Sequence, residues 1–245
     1  GGMLRLGIPE YRLPRELIRL EIRAILSLGV ELHVNRRLGR DFTLRGLRQD
    51  GYRAVFLAIG AHKARALQVP GTDLDGVLHA VDFLLNVNLG YRVELGERVA
   101  VIGGGNVAID AARTAARQQL PAGITASSMA EALDVARSAV RFGAREVHMI
   151  CLESRQEMPA DPEEVEQAEE ERIRLHPSRG PKRILGDAGR TRGVETLDVA
   201  SVFDASGRFA PRFVAGTERV IEADTVILAV GQASDSDVKR TRSPA

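Results

Sequence analysis

The sequence predicts an α/β fold in which short buried strands alternate with helices. Three observations carry that expectation. Three apolar runs, Ala54–Ile59, Val99–Ile102 and Thr225–Val230, each end at a glycine (Gly60, Gly103 and Gly231). Continuous apolar runs of that length, closed by glycine, read as strands covered on both faces. Between them lie stretches with helical periodicity.

Taken in order, Pro14 precedes the apolar set Leu17, Ile18, Ile22, Ile25 and Leu28, which has helical spacing, and Gly29 follows it. Proline suits a first turn and glycine an end. Val30–Val34 reads as a short strand, Thr43 as the cap of a brief helix to Arg48, and Ala54–Ile59 as a buried strand. Pro70-Gly71 marks a turn, and Val81–Val87 reads as helical. Val99–Ile102 is a buried strand that enters Gly103-Gly104-Gly105 and a helix from Asn106 to about Gln118. Residues 119–127 break that helix. Ser128 is placed to cap a further helix to Phe142, and Glu146–Cys151 reads as the next strand. An acidic helix is expected over Pro162–Arg174, an antiparallel segment over 183–222, and a last strand from Thr225. The tail from Ala233 is polar.

Composition narrows the function classes. Lys plus Arg is 34 and Asp plus Glu is 33 in 245 residues, so the basic surplus typical of nucleic-acid binding is missing. No apolar run reaches the ~18 residues of a membrane span, and no secretory leader pattern opens the chain. The single cysteine, Cys151, cannot form an internal disulfide or a Cys-x-x-Cys pair. A cytoplasmic location is the expectation. His33, His62, His79, His148 and His176 show no metal-ligand spacing, so no metal site is expected. The acidic run around Glu163–Glu171 reads as a solvated helix face, and Cys151 as a packing residue.

Val99–Ile102 followed by Gly103-Gly104-Gly105-Asn106-Val107-Ala108 fits the strand, G-x-G-x-x-G/A, helix order of a dinucleotide-binding turn. Gly103 permits the tight turn and Gly105 lets a pyrophosphate approach the backbone. Ala108 lets the helix pack closely, and the helix start attracts the anion. The residue ending the next strand reads the adenosine ribose, and an acidic side chain there accepts from the 2′-hydroxyl of NAD. Glu153 holds that place, 50 positions after Gly103. Ala108–Arg117 resembles Ala132–Arg141 at an offset of 24. Removing one such insertion leaves 26, near the usual spacing of about 20. Chance similarity between two Ala/Arg-rich helices is the alternative. Asp110 and Arg113 are either structural or line the cofactor cleft.

The chain resembles the small-subunit family of glutamate synthase, whose wider relatives include the flavin portion of dihydropyrimidine dehydrogenase. The resemblance rests on Gly1-Gly2-Met3-Leu4 with Gly7-Ile8-Pro9 and Arg12-Leu13-Pro14, on Ala54–Ala61, on Val101–Arg113, on Ser154-Arg155 with Glu157-Met158-Pro159-Ala160, and on Asp224–Gln232. It implies a two-dinucleotide-binding, Rossmann-like flavoprotein fold, with a nicotinamide domain inserted in a truncated FAD domain. Residues 1–75 would be the partial FAD domain and 76–223 the NAD(P) domain, with an inserted helical segment near 119–142. Residues 224–245 would be the return strand to the FAD domain and a polar tail. Gly1, Gly2, Met3 and Arg12 would contact FAD, with Leu38 and Gly60 near its adenosine. Gly103, Gly104, Gly105, Asn106, Val107, Glu153 and Arg155 would hold the nicotinamide dinucleotide. Ala229, Val230 and Gly231 would lie where the cofactors meet.

Two of the family's FAD segments are expected upstream of Gly1 and after Gln232, so the sequence reads as a fragment. Where NADPH-using members carry basic residues, this chain has Leu152-Glu153. NADH is therefore expected over NADPH, although Arg155 is able to reach a 2′-phosphate. The implied activity is an NAD(P)H-dependent FAD oxidoreductase that passes hydride from nicotinamide to FAD and electrons to an iron–sulfur subunit or domain. No catalytic side chain is needed for that transfer. A non-catalytic nucleotide-binding or subunit-contact module is the alternative. A disulfide reductase is disfavoured by the lone cysteine.

Overall fold

The computed structural model describes residues 1–117 and 144–234. The helical segment expected near 119–142, with the second copy of the repeat, and the tail beyond residue 234 lie outside the described residues.

The strongest sequence signals form the centre. Strands β2 (Val77–His79), β3 (Arg98–Ile102), β4 (Glu146–Ile150), β5 (Arg174–His176) and β10 (Thr225–Leu228) make one parallel sheet in the order β2-β10-β3-β4-β5. Successive side chains of a strand point to opposite faces, and β3 divides accordingly. Val99 and Val101 join one buried cluster, Ala100 and Ile102 another. The first lies under helices α4 (Ala80–Asn88), α5 (Asn106–Arg117) and α6 (Pro162–Glu170). The second lies under an antiparallel unit of β6 (Arg179–Asp187), β7 (Arg190–Phe203), β8 (Phe209–Phe213) and β9 (Arg219–Glu222). The result is three layers: helices, parallel sheet, antiparallel sheet.

Local chemistry explains several boundaries. Pro14 precedes α2 (Arg15–Leu26) as expected. The Thr43 hydroxyl accepts from the Gly46 N–H at 3.0 Å, capping α3 (Leu44–Gln49). Asp161 caps α6 by accepting from Glu163 N–H, with Pro162 in the first turn. The acidic helix ends at Glu170, earlier than expected. The chain turns there to place β5 beside β4, a three-residue strand too short to leave a periodic signal. Ala188 and Gly189 both have positive φ, and they join β6 to β7 through the two-residue hairpin turn that needs it.

Three expectations are corrected. Val30–Val34 and Ala54–Ile59 are not strands here, and their side chains are largely exposed, Phe56 to 92%. A strand needs a partner for its N–H and C=O groups, and no described segment pairs with either run. The strand from Thr225 was expected to return to the FAD half. Instead β10 pairs in parallel with both β2 and β3, between them in the five-stranded sheet. The chain leaves that sheet only after Leu228, where β11 (Gln232–Ala233) pairs with β1 (Lys63–Ala64). Among the described residues, no helix is long and apolar enough to cross a membrane.

Candidate functional site

The order β5-β4-β3-β10 reverses direction between β3 and β10: from β3 the chain moves outward one way to β4, and β10 later fills the other side. In open parallel sheets ligands bind beyond the carboxyl ends of strands at such a point. A cavity of about 620 Å³ lies there, lined by Gly103–Val107 after β3, Ile150–Glu153 after β4 and Ala229–Gly231 after β10. That volume is in the range of small-molecule and cofactor sites.

The loop is built by close approach. Gly103 has φ 146, and a Cβ on it would stand 2.5 Å from the Ala229 carbonyl oxygen. Its N–H donates to Ile150 O at 2.9 Å, and the Ala229 N–H donates to Ile102 O at 2.8 Å. Strand ends and loop are thus tied together. A Cβ on Gly104 would meet the Glu153 carboxylate at 2.8 Å, so Glu153 lies directly against the loop. Around Gly105 the nearest atom to such a Cβ is Pro159 Cγ at 4.0 Å, which leaves room for a ligand. The Ala108 and Ile109 N–H groups donate to Gly105 O, the N–H groups that precede them start the helix without an intrahelical acceptor, and the helix dipole favours an anion there. Ala108 is fully buried, so α5 packs closely on the sheet.

The Met158-Pro159-Ala160 motif finds its reason here. Met158 and Ala160 are buried in the helix-side core, and the Ala160 N–H donates to Gly104 O. The next N–H, of Asp161, donates to Asn106 Oδ1 at 2.9 Å. The segment holds the glycine loop from outside while Pro159 lines the cavity. Cys151 is buried, and burial pushes its thiol up to about 12, with Glu153 adding to the effect. It stays protonated and packs, as the sequence suggested.

Of the expected residues, Gly103, Gly104, Gly105, Asn106, Val107, Glu153, Ala229, Val230 and Gly231 converge on one cavity. Arg155 does not. Its guanidinium pairs with Glu169 on α6 at 2.6 Å. Nor do Gly1, Gly2, Met3, Leu38 or Gly60 line the cavity. Arg12 is placed elsewhere: its Nη1 donates to both oxygens of Asp110 at 2.8 Å. Asp110 and Arg113 are thereby structural, joined to Glu164 and Glu171 on the acidic face rather than to the cleft. That face is thus partly engaged, not simply solvated.

Sequence reasoning missed Arg65, Gln68, Arg179, Pro181 and Phe209 on the cavity wall. They come from the approach to β2 and from the antiparallel unit, and no local motif marks them. Arg179 is buried, with Nη1 on Asp198 at 2.9 Å, Nε on Thr196 Oγ1 and Nη2 on Thr217 O. Among the described residues no cluster of three or more His, Cys, Asp or Glu suits a metal ion.

Known proteins resemble the chain in sequence and in fold. The chain is 41% identical over 239 residues to the NADP(+)-dependent formate dehydrogenase subunit beta of Moorella thermoacetica, covering 96% of this chain and 30% of that protein. It is 33% identical over 244 residues to the glutamate synthase [NADPH] small chain of Azospirillum brasilense, covering 94% and 45% respectively. The chain therefore spans less than half the length of these relatives. A solved structure of the Mycobacterium tuberculosis oxidoreductase FprA, described with a covalent modification of NADP+, superposes with a TM-score of 0.67 at 21% identity. It covers 94% of this chain and 61% of FprA, and shows the fold. The model of the pyridine nucleotide-disulphide oxidoreductase family matches residues 37–243, and with the glycine loop, the switch-point cavity and the relatives in agreement, the chain belongs to that family.

Proposed function

We propose that this chain is the NAD(P)H-binding module of a flavoprotein oxidoreductase, giving up hydride to FAD in the whole protein, with NADH the preferred donor. One observation carries the reading: the glycine loop opens at the start of α5, in the same cavity as Glu153 and Ala229–Gly231. The nicotinamide supplies the hydride, and no acid or base is required of the protein. The chain's own residues bind and orient. The N–H groups of Asn106 and Val107 at the start of α5 would take the pyrophosphate, Glu153 would accept from the adenosine ribose, and Ala229–Gly231 would border the nicotinamide end.

The preference for NADH rests on Glu153. A carboxylate against Gly104 repels a 2′-phosphate, and Arg155, the basic residue nearest in sequence, is held by Glu169 outside the cavity lining. The relatives above carry NADP or NADPH in their names, so a preference for NADH would set this chain apart from them. An iron–sulfur subunit or domain as electron acceptor follows from the resemblance, and the relatives' designations as a beta subunit and a small chain fit a larger assembly. Residues 1 to about 75 would face the flavin.

Calorimetric titration of the 245-residue chain with NADH and with NADPH tests the reading. Micromolar NADH binding is expected, with NADPH at least tenfold weaker. Glu153→Arg is expected to reverse the order, since the basic side chain then pairs with the phosphate. Binding of neither nucleotide would refute the proposal, and equal affinities in the unaltered chain would refute the NADH preference.

A further inference from the structure

The antiparallel unit ends over the cavity in an aromatic patch that the dinucleotide reading leaves without a task. Phe203 on β7 and Phe209 on β8 are cross-strand partners. Their rings meet edge to face, with centroids 6.2 Å apart at 76°. Phe209 is 65% exposed, yet it lines the same cavity as Gly103–Val107 and Glu153. Phe203 borders a second hollow that shares Leu152 and Glu153. Phe213, at the other end of β8, packs over Gly180: a Cβ there would stand 2.5 Å from both the Phe213 ring and Leu152. That contact seats β8 against the end of β4, the strand that presents Glu153. Through the hollow that Phe203 shares with Leu152 and Glu153, the patch adjoins the residue read as the ribose acceptor.

We propose that Phe209 supplies the surface on which the adenine ring of the dinucleotide stacks. The inference rests on the dinucleotide reading and adds a residue to it. The chemistry matches. An exposed phenyl face gains contact area and dispersion from a flat heteroaromatic ring, and base–aromatic stacking tolerates the absence of hydrogen-bond readout. Arg179 and Pro181 line the same cavity, and the Arg179 guanidinium is fixed on Asp198, Thr196 and Thr217. Phe203 meets the ring at a steep angle, and most of Phe209 stays exposed. Glu153, on the ribose hydroxyls, and Phe209, on the base, would grip the two halves of one adenosine.

The chain contains no tryptophan, so Phe209→Trp introduces a single reporter. The unaltered chain, Phe209→Ala and Phe209→Trp are titrated with NADH and with ADP-ribose, which carries the adenosine but no nicotinamide. Phe209→Ala is expected to weaken both ligands by the same factor, about tenfold, with an unchanged thermal midpoint because the side chain is exposed. Phe209→Trp is expected to bind both at least as tightly as the unaltered chain, with its indole emission quenched by ADP-ribose. If the unaltered chain binds NADH and Phe209→Ala stays within twofold for both ligands, the stacking inference fails while the dinucleotide site stands. Loss confined to NADH would put the ring on the nicotinamide and equally overturn it. An unaltered chain that binds neither ligand overturns the dinucleotide reading, and this inference with it.

Discussion

At the scale of single residues, Gly103 decides whether the cavity exists. Its φ of 146 is one that side chains avoid, and a Cβ would stand 2.5 Å from the Ala229 carbonyl. Gly103→Ala must move the β10 end away from the β3 end. The expected result is a loss of roughly 1–3 kcal/mol of stability, read by urea denaturation, together with nucleotide affinity reduced at least tenfold. Unchanged affinity would mean that the loop geometry is not what binds. A second residue-scale effect belongs to the histidines. His148 Nδ1 and His176 Nε2 lie 2.9 Å apart, with Glu146, Arg174 and Arg179 as their charged neighbours. Burial holds both imidazoles below their ordinary range, His176 at about 4, where His148 and the neighbouring guanidinium groups add to the effect. A group depressed on folding contributes stability above its unfolded value that is lost as pH falls toward its folded one. Stability is therefore expected to decline between about pH 6.5 and 4, by an amount on the order of 2 kcal/mol. His176→Gln should flatten that decline in pH-dependent denaturation, and an unaltered slope would remove His176 as its source.

At the scale of elements, the acidic helix α6 and the glycine-loop helix α5 are joined through the segment before α2. Arg12 spans Asp110 and Glu164, Arg113 spans Glu164 and Glu171, and Arg117 reaches Glu171 at 2.5 Å. The Tyr11 ring lies under the Arg117 guanidinium at 3.8 Å. Asn88 on α4 adds a hydrogen bond to Leu6 O at 2.8 Å. Asp110 is only 3% exposed. Burial holds its carboxyl above the usual carboxylate range, with Arg12 pulling the other way. Removing Arg12 takes away the guanidinium that hydrogen-bonds the buried Asp110 carboxylate, and Arg12→Ala is expected to cost about 3 kcal/mol at neutral pH. A carboxyl raised on folding favours the native state only where it is protonated, so the deficit should shrink at pH 4. Arg12→Ala with Asp110→Ala should cost less than the sum of the two single changes. Additive losses in a denaturation cycle would show that the pair is not coupled.

At the scale of the molecule, stability is expected to be uneven. The parallel sheet carries both buried clusters, whereas residues 30–34 and 54–59 have neither strand partners nor cover. Hydrogen exchange should therefore find the β3, β4 and β10 amides the slowest, and those of residues 30–34 and 54–59 close to unprotected. Strong protection at 54–59 in the isolated chain would contradict the unpaired arrangement.

By itself, the sequence determined the sheet's central strands, the glycine loop, the Thr43 cap, the antiparallel stretch and the place of Glu153 just past the end of β4. Each is written in adjacent residues: a buried run, a turn that only glycine tolerates, a capping hydroxyl, an alternation. Tertiary structure alone decided three further things. It paired β10 with β2 and β3, because register between strands distant in the chain leaves no local mark. It withheld pairing from Val30–Val34 and Ala54–Ile59, because an apolar run becomes a strand only when another backbone meets its N–H and C=O groups. And it sent Arg12 to Asp110, Arg155 to Glu169 and Phe209 to the cavity wall, because a side chain's partner depends on which elements fold against it rather than on its neighbours in sequence.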